Sequence, residues 1–329
     1  MISHNQTSDL KLWLAALLLG ASGVAAAQTP EIYLTPFSHL DFYWGGTREE
    51  CLARGNYIIA KAVKLARQSP QFRFLIEDDN FVANYVETHP GSPELEELKR
   101  LVKQGRIEIA PKWANIFQGL PDGEVTVRNF VIGKRYAQSV FGVDARVAHM
   151  ADIPDFTPQF PQMLSQLRVP FMMMTRMGPS DKSLFYWKAP DGSKTLVWST
   201  LKGYGWGTFL TNPTTSDADK LARFRKDVSD VRVTTTGGPI LMHWGTDLWA
   251  PPDDLVERVE AIGHAAPAKI TLATPSDFFR RVESAGIPEL AGEVPSSWPN
   301  IVSSLPHLWP QIIPATNTLL AAEKFAAIN

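Results

Sequence analysis

The chain has 329 residues, of which 44% are hydrophobic and 20% are charged, enough for one large α/β domain or two medium ones. Its formal net charge of −2 excludes the strongly basic surface that binding to nucleic acid requires. Ten tryptophans and 17 phenylalanines make a high aromatic content. Most of these rings belong in a core, but aromatic faces also stack on sugar rings.

The first 27 residues have the pattern of a secretory signal peptide. Lys11 precedes an apolar run at 12–19, and three alanines at 25–27 offer a cleavage point. The apolar stretch at 12–27 is shorter than the roughly 20 residues that a membrane span needs. We therefore expect export to the periplasm or the extracellular space, with no stable membrane insertion after cleavage. The single cysteine, Cys51, allows no internal disulfide and is expected to pack inside a helix, not to act as a nucleophile.

Short apolar runs alternate with longer helical patterns through most of the remaining chain. The runs predict buried strands at 32–36, 72–76, 107–110, 146–150, 171–175, 240–243 and 270–273. The helical patterns cover 48–67, 93–104, 124–140, 158–167, 217–228, 253–262 and 275–284. This alternation predicts an α/β fold, with seven parallel strands closed into a β/α barrel. Barrels of this kind place their chemistry at the carboxyl ends of the strands.

Two stretches interrupt the alternation. The segment 184–198 holds two aromatic arms around an Asp191-Gly192 turn and predicts a hairpin outside the barrel. The segment 286–310 is rich in Pro, Gly and Trp, and it leads to a helical pattern at 316–327 with no stop signal. We therefore expect a barrel domain at 28–285, followed at 286–329 by a linker and the truncated beginning of a helical domain.

Polar residues follow the predicted strands where the fold would bring them together. In strand order these are His39 and Asp41; Glu77, Asp78 and Asp79; Lys112 and Trp113; Asp152 and Asp155; Arg176; and His243 and Asp247. A histidine and a carboxylate two residues apart at a strand end can converge on one metal ion, and Trp44 supplies an aromatic wall beside them. Each element also has a simpler explanation, because acidic residues cap helices and His243 fits a buried core histidine. The whole set in strand order favours a metal-centred carbohydrate site.

Several of these stretches resemble glycoside hydrolase family 38, the zinc-dependent retaining α-mannosidases. Ser38-His39-Leu40-Asp41 with Trp44 is similar to the His-x-Asp-Pro-Gly-Trp motif of that family. The segment from Asp152 to Thr157, with Phe160-Pro161-Gln162 downstream, resembles its Asp-x-Phe-Gly-His-Ser segment and the following Leu-Pro-Gln. Arg176 and Gly245-Thr246-Asp247 resemble its strand-end arginine and its Gly-Asp-Asp turn. The likeness is collinear from about residue 31 to residue 285, and the barrel of that family is seven-stranded.

The resemblance implies a role for each matching residue. His39, Asp41 and Asp152 would bind Zn²⁺, and Asp152 would also be the nucleophile that forms a covalent mannosyl-enzyme. Asp247 would be the general acid/base. Arg176 would hold either the nucleophile or a substrate hydroxyl, and Trp44 would pack against the sugar. Trp113 is a further predicted substrate contact. The fourth zinc ligand of the family is a histidine beyond the barrel, for which either Asn300 or His307 is the equivalent here.

The sequence departs from the family at the segment of the nucleophile. Asp155 stands where the family has glycine and Phe156 where it has histidine, so altered surroundings of the nucleophile are expected. Three functions are considered: hydrolysis of terminal α-mannosidic bonds in mannose-containing oligosaccharides; a non-catalytic periplasmic carbohydrate-binding or scaffold protein; and a metal-dependent carbohydrate deacetylase. The last is disfavoured because deacetylases need a His-x-x-x-His pair, which none of the seven histidines forms.

Overall fold

The computed structural model describes most of the chain that follows the N-terminal segment. The described residues are 29–119, 121–176, 178–200, 202–235, 237–282, 286–294, 298 and 306–328. The predicted signal peptide at 1–27 and the candidate ligand Asn300 lie outside them. The predicted domain boundary between 285 and 286 stays a prediction.

Ten strands occur within the described residues. They are β1 (Glu31–Pro36), β2 (Phe74–Ile76), β3 (Ile107–Ile109), β4 (Val147–Met150), β5 (Phe171–Met174), β6 (Leu184–Lys188), β7 (Lys194–Ser199), β8 (Ile240–Trp244), β9 (Lys269–Leu272) and β10 (Glu289–Ala291). All seven predicted strands are confirmed, because β1 to β5, β8 and β9 lie within two residues of the predicted bounds. Most apolar side chains of β2, β3, β4, β5 and β8 are buried, which is why short apolar runs form strands here, whereas β9 buries only Leu272.

Nine α-helices alternate with these strands in the described part of the chain. They are α1 (Arg48–Gln68), α2 (Asp79–Thr88), α3 (Pro93–Lys103), α4 (Gly123–Tyr136), α5 (Phe160–Gln166), α6 (Asp217–Thr234), α7 (Leu255–Ala265), α8 (Pro275–Arg281) and α9 (Trp309–Ile328). Helix α2 is absent from the predicted set. A capping box begins α8, with Thr274 and Asp277 satisfying each other's backbone N–H groups. Cys51 is buried in α1, as expected.

Hydrogen bonds join the strands into three sheets. Their strand orders are β8-β1-β9, β10-β6-β7-β5-β4 and β2-β3. All pairs are parallel except β6 with β7. The parallel α/β architecture is therefore confirmed, whereas the described strands do not form one closed sheet. An isolated parallel bridge between Phe37, just after β1, and Leu75 of β2 joins the sheet of β1 to the sheet of β2.

The predicted hairpin forms, but one of its arms, β7, belongs to the main parallel sheet and is not an excursion from it. Strands β6 and β7 pair in antiparallel fashion around the turn at Asp191-Gly192. Strand β7 also pairs in parallel with β5 along its length, from Phe171 opposite Leu196 to Met174 opposite Ser199. Lys194 is exposed, and the other five residues of β7 are buried. Because the apolar side chains of β7 lie in the core, their burial stabilises this strand within the main sheet. Residues that follow β7 therefore belong to the same edge of the sheet as those that follow β5.

The two ends of the strands differ in character. A cavity of about 830 Å³ opens at the amino ends of β1, β8 and β9, where Glu31 pairs with Lys269 and Arg281. The predicted site residues lie at the opposite, carboxyl ends. Beyond them, α9 is exposed over most of its length and is tied to α4 by an ion pair of 2.7 Å between Glu323 and Arg128. Within the described residues, no helix combines the length and the apolar character needed to cross a membrane.

Candidate active site

The segment after β1 runs beside the segment after β8, and this pairing brings two predicted site residues together. The His39 N–H donates to the carbonyl of Thr246 at 3.2 Å, and the Leu248 N–H donates to the carbonyl of His39 at 2.9 Å. His39 and Asp247 consequently face each other as a parallel bridge. The pairing ends at Leu248, whose φ of +60° turns the chain away.

Three predicted metal ligands converge at this edge. Nε2 of His39 lies 3.0 Å from Oδ2 of Asp41 and 3.7 Å from Oδ2 of Asp152. One ligand atom of each residue lies within 4.8 Å of the other two. His39 is buried, whereas the two aspartates are partly accessible from solvent. The carboxyl ends of β1 and β4 thus supply one nitrogen and two oxygen atoms to a common point.

This donor set fits zinc. Zn²⁺ binds histidine nitrogen and carboxylate oxygen at about 2.0–2.2 Å, so two ligand atoms of a tetrahedral site lie roughly 3.3 Å apart. The two distances from His39 Nε2 bracket that value. Three protein ligands would also leave a position open, as catalytic zinc sites do.

The other ring nitrogen of His39 contacts a buried carboxylate. Nδ1 lies 2.8 Å from Oε1 of Glu77, which follows β2 and is fully buried. Burial alone lowers the pKa of His39, but the charge of Glu77 and the hydrogen bond to Asp41 together raise it well above its ordinary value. In turn, His39 and Lys112 overcome the burial of Glu77 and hold its pKa well below the usual range. His39 and Glu77 are therefore a charged pair when no metal is bound.

A further network lies behind Glu77. Lys112, which follows β3 and is fully buried, forms an ion pair with Asp78 and lies 3.7 Å from Oε1 of Glu77. Asn115 donates to Glu77 and, at 2.9 Å, to Oδ2 of Asp78. Burial raises the pKa of Asp78 to about 7, against the lowering effect of Lys112. Asp78 is the N-cap residue of α2, but its side chain makes no capping hydrogen bond. Its two carboxyl oxygens instead accept hydrogen bonds from Lys112 and Asn115.

The predicted nucleophile is paired with the predicted arginine. Nε of Arg176, after β5, donates to Oδ1 of Asp152, after β4. The guanidinium carbon of Arg176 lies 5.3 Å from the ring centre of Tyr204 and 4.8 Å from that of Trp298. One oxygen of Asp152 therefore faces the arginine while the other faces His39.

The predicted acid/base, Asp247, accepts two hydrogen bonds from aromatic side chains. The indole Nε1 of Trp44 donates to Oδ2 at 3.0 Å, and the hydroxyl of Tyr204 donates to Oδ1 at 2.8 Å. Burial, followed by the bond to Asp247, raises the pKa of Tyr204, so this phenol stays a donor. Trp44 remains 59% exposed, which leaves its ring face open to a ligand.

Two other predicted site residues contact different parts of the molecule. The ring of Trp113 packs edge-to-face on Tyr136 of α4, with 5.7 Å between the ring centres. His307 is exposed just before α9, and its described hydrogen bond is through its carbonyl to Gln311. Neither residue belongs to the cluster of ligand atoms found among the described residues. Their predicted roles remain predictions.

Phe156 and His243 both face the interior. Phe156, at the position where the resembling family has histidine, is buried against Phe160 and Trp187, with ring centres 5.4 and 6.1 Å away. His243 is fully buried, and its Nδ1 lies 2.9 Å from the hydroxyl of Thr200. Burial lowers the pKa of His243 well below its ordinary value, which agrees with a neutral core histidine.

Sequence reasoning missed Tyr204, which contacts Asp247. Tyr204 follows β7, and treating the hairpin as an excursion removed that strand end from consideration. Glu77 and Lys112 were recognised as strand-end residues, but nothing in their spacing showed that Glu77 contacts His39 and that Lys112 contacts Glu77. Counting β7 among the strands of the main sheet would have placed Tyr204 at the correct edge.

Comparison with known proteins identifies the family of the chain. Residues 29–298 match the sequence model of the family "Glycosyl hydrolases family 38 N-terminal domain". The chain belongs to this family of glycoside hydrolases. It is 22% identical over 253 residues to alpha-mannosidase G of Dictyostelium discoideum and 20% identical over 279 residues to human alpha-mannosidase 2C1.

The first alignment covers 74% of this chain and 22% of the relative, and the second covers 82% and 26%. Among solved structures, an alpha-mannosidase from Enterococcus faecalis V583 superposes with a TM-score of 0.72 at 21% identity, over 80% of this chain and 31% of that chain. The chain thus spans less than a third of the length of these relatives. The structural likeness establishes a common fold.

Proposed function

We propose that this chain hydrolyses terminal α-mannosidic bonds in mannose-containing oligosaccharides by a retaining, zinc-assisted double displacement. The observation that carries the proposal is the convergence of His39, Asp41 and Asp152 beside Asp247 at one edge of the fold. Membership of family 38 and the printed names of the relatives support the substrate class. His39, Asp41 and Asp152 would hold the zinc ion. When bound, the ion would orient the sugar ring through its hydroxyl groups.

The chain's own carboxylates would carry the two steps. In the first, an oxygen of Asp152 bonds to the anomeric carbon while the bond to the leaving oxygen breaks, and protonated Asp247 gives its proton to that oxygen. In the second, water bonds to the anomeric carbon, gives a proton to Asp247 and releases Asp152. Arg176 donates a hydrogen bond to the other oxygen of Asp152 and so helps to hold the attacking carboxylate in place. Trp44 would pack against the sugar.

The closure of the three sheets into a barrel is a second proposal. We infer that the three sheets are arcs of one seven-stranded barrel in the order β1, β2, β3, β4, β5, β7 and β8. This order counts β7 in place of the predicted strand β9, which among the described strands pairs only with residues 31–34 of β1 and leaves the carboxyl end of β1 open to β2. The bridge from Phe37 to Leu75 supports a junction between the first two strands, and the contact of Thr200 with His243 supports one between the last two. An experimental structure tests this inference, because a barrel requires β3 beside β4 and β7 beside β8.

We propose that the protein acts after export to the periplasm or the extracellular space, because residues 1–27 have the signal-peptide pattern. N-terminal sequencing of the exported protein should then begin at Gln28. Recovery of an uncleaved, cell-internal protein would contradict this location.

Zinc analysis and hydrolysis together test the enzymatic proposal. The purified protein should contain about one zinc ion per chain and should release aryl alcohol from an aryl α-mannoside, with both properties lost on His39→Ala. Asp152→Ala should abolish turnover and retain the fold by circular dichroism. Wild-type protein that binds zinc and mannose without turnover would instead support the non-catalytic alternative. Release of acetate from an acetylated sugar would support the deacetylase.

A further inference from the structure

We propose that Glu77 is a positioning residue for the metal centre, holding the His39 ring so that its Nε2 faces the zinc ion. Lys112 and Asn115 in turn fix the carboxylate of Glu77. This inference rests on the proposed function, because it takes the zinc to be bound by His39, Asp41 and Asp152. The metal ligands follow β1 and β4, whereas Glu77 follows β2, and Lys112 and Asn115 follow β3.

Each nitrogen of the His39 ring lies close to a different carboxylate. Nδ1 lies 2.8 Å from Oε1 of Glu77, and Nε2 lies 3.0 Å from Oδ2 of Asp41. The two ring nitrogens thus face different partners, with Nδ1 toward Glu77 and Nε2 toward the two aspartates of the metal site. When zinc is bound, Nε2 is then the nitrogen whose lone pair faces the ion. Carboxylates that orient metal-binding histidines in this way fix both the tautomer and the rotation of the ring.

The position of Glu77 is itself fixed on its far side. Nζ of Lys112 lies 3.7 Å from Oε1, and Asn115 donates to the same oxygen. Nδ1 of His149 lies 3.4 Å from Oε2, within ion-pair reach although its geometry is not that of a hydrogen bond. The side chains of Glu77, Lys112 and His149 are fully buried. A buried carboxylate with so many neighbours has little freedom to turn away from His39.

A buried ion pair can also serve folding alone, and the experiment must separate the two roles. Glu108 of β3 offers a matched control, because its carboxylate accepts hydrogen bonds from the N–H of Ser276 at 2.9 Å and from its hydroxyl at 2.7 Å. It lies on the neighbouring strand and contacts none of the metal ligands. Glu→Gln at either position removes one charge and retains the shape of the side chain.

The test measures zinc affinity by competition with a chromophoric chelator for wild type, Glu77→Gln and Glu108→Gln. We expect Glu77→Gln to bind zinc about 10–100-fold more weakly, and Glu108→Gln to remain within about twofold of wild type. Equal zinc affinity of Glu77→Gln and wild type would overturn the inference while leaving the proposed function intact. A wild-type protein that binds no zinc would overturn both.

A second measurement needs no variant and decides the matter if Glu77→Gln does not fold. Nitrogen NMR of histidine-labelled, cadmium-loaded wild type should show a proton on Nδ1 of His39 and scalar coupling of Nε2 to the metal. Coupling of the metal to Nδ1 would refute the inference, because that nitrogen could not then donate to Glu77.

Discussion

The hydroxyl of Tyr204 donates a hydrogen bond of 2.8 Å to Oδ1 of Asp247. The ring of the same tyrosine lies 5.3 Å from the guanidinium carbon of Arg176, which pairs with Asp152. Tyr204 therefore contacts the proposed acid/base directly and the partner of the proposed nucleophile through its ring. A single aromatic side chain links the two halves of the proposed reaction centre.

Tyr204→Phe should lower kcat/KM for an aryl α-mannoside about 10–100-fold, since it removes a hydrogen bond to the carboxylate that Asp247 becomes as it gives up its proton. A hydrogen bond to a charged group is worth about 1.5–3 kcal/mol. The loss should shrink with a highly activated leaving group, which needs no proton from Asp247. Tyr33→Phe is the control, because the Tyr33 hydroxyl contacts the carboxylate of Glu31 at the amino end of β1. Equal losses in the two variants would argue against a role of Tyr204 in the reaction.

The extent to which sequence predicts this site follows from the geometry of parallel strands. Strand order placed His39, Asp41 and Asp152 among the residues that follow β1 and β4, and the family resemblance named these three as ligands of one metal ion. Tyr204 was missed because the sequence does not show that β7 pairs with β5. The contact between Glu77 and His39 depends on packing between sheets, which spacing along the chain does not encode.

Gly133 of α4 should not tolerate alanine, although alanine favours helices. An added Cβ would lie 2.5 Å from Oδ2 of Asp79 and 2.7 Å from the backbone of Lys112. We expect Gly133→Ala to lower the free energy of unfolding by about 1–3 kcal/mol in urea denaturation. Gly123→Ala, in the first turn of the same helix, meets no atom within 4 Å and should leave stability nearly unchanged. Equal stability of the two variants would contradict the close packing of α4 on the charged network.

Phe156 was expected to alter the surroundings of the nucleophile, but its ring lies in the apolar core. Phe156→His places a polar ring against Phe160 and Trp187, so we expect a loss of about 2–4 kcal/mol in the free energy of unfolding and no gain in kcat/KM. Phe156→Leu serves as the apolar control and should lose less stability. An increase in turnover with histidine would show that position 156 reaches the reaction centre after all.

Asp79 should make the stability of the protein depend on pH. Both of its carboxyl oxygens are buried without a hydrogen-bond partner among the described residues. Burial and the neighbouring Asp78 raise the pKa of Asp79 well above its ordinary value of 3.8. As pH rises above about 4, the unfolded chain loses this proton first, so stability falls until the pH passes the folded-state pKa. Each unit of difference between the two pKa values is worth about 1.4 kcal/mol.

Asparagine at position 79 cannot ionise and removes this penalty. The difference in unfolding free energy between Asp79→Asn and wild type should therefore shift in favour of the variant between about pH 4 and pH 8. Urea denaturation across that range measures it, with Asp181→Asn as an exposed control whose difference from wild type should stay small. A difference for Asp79→Asn that does not change with pH would mean that Asp79 is already ionised in the folded protein, with its charge stabilised by a neighbour such as Lys112.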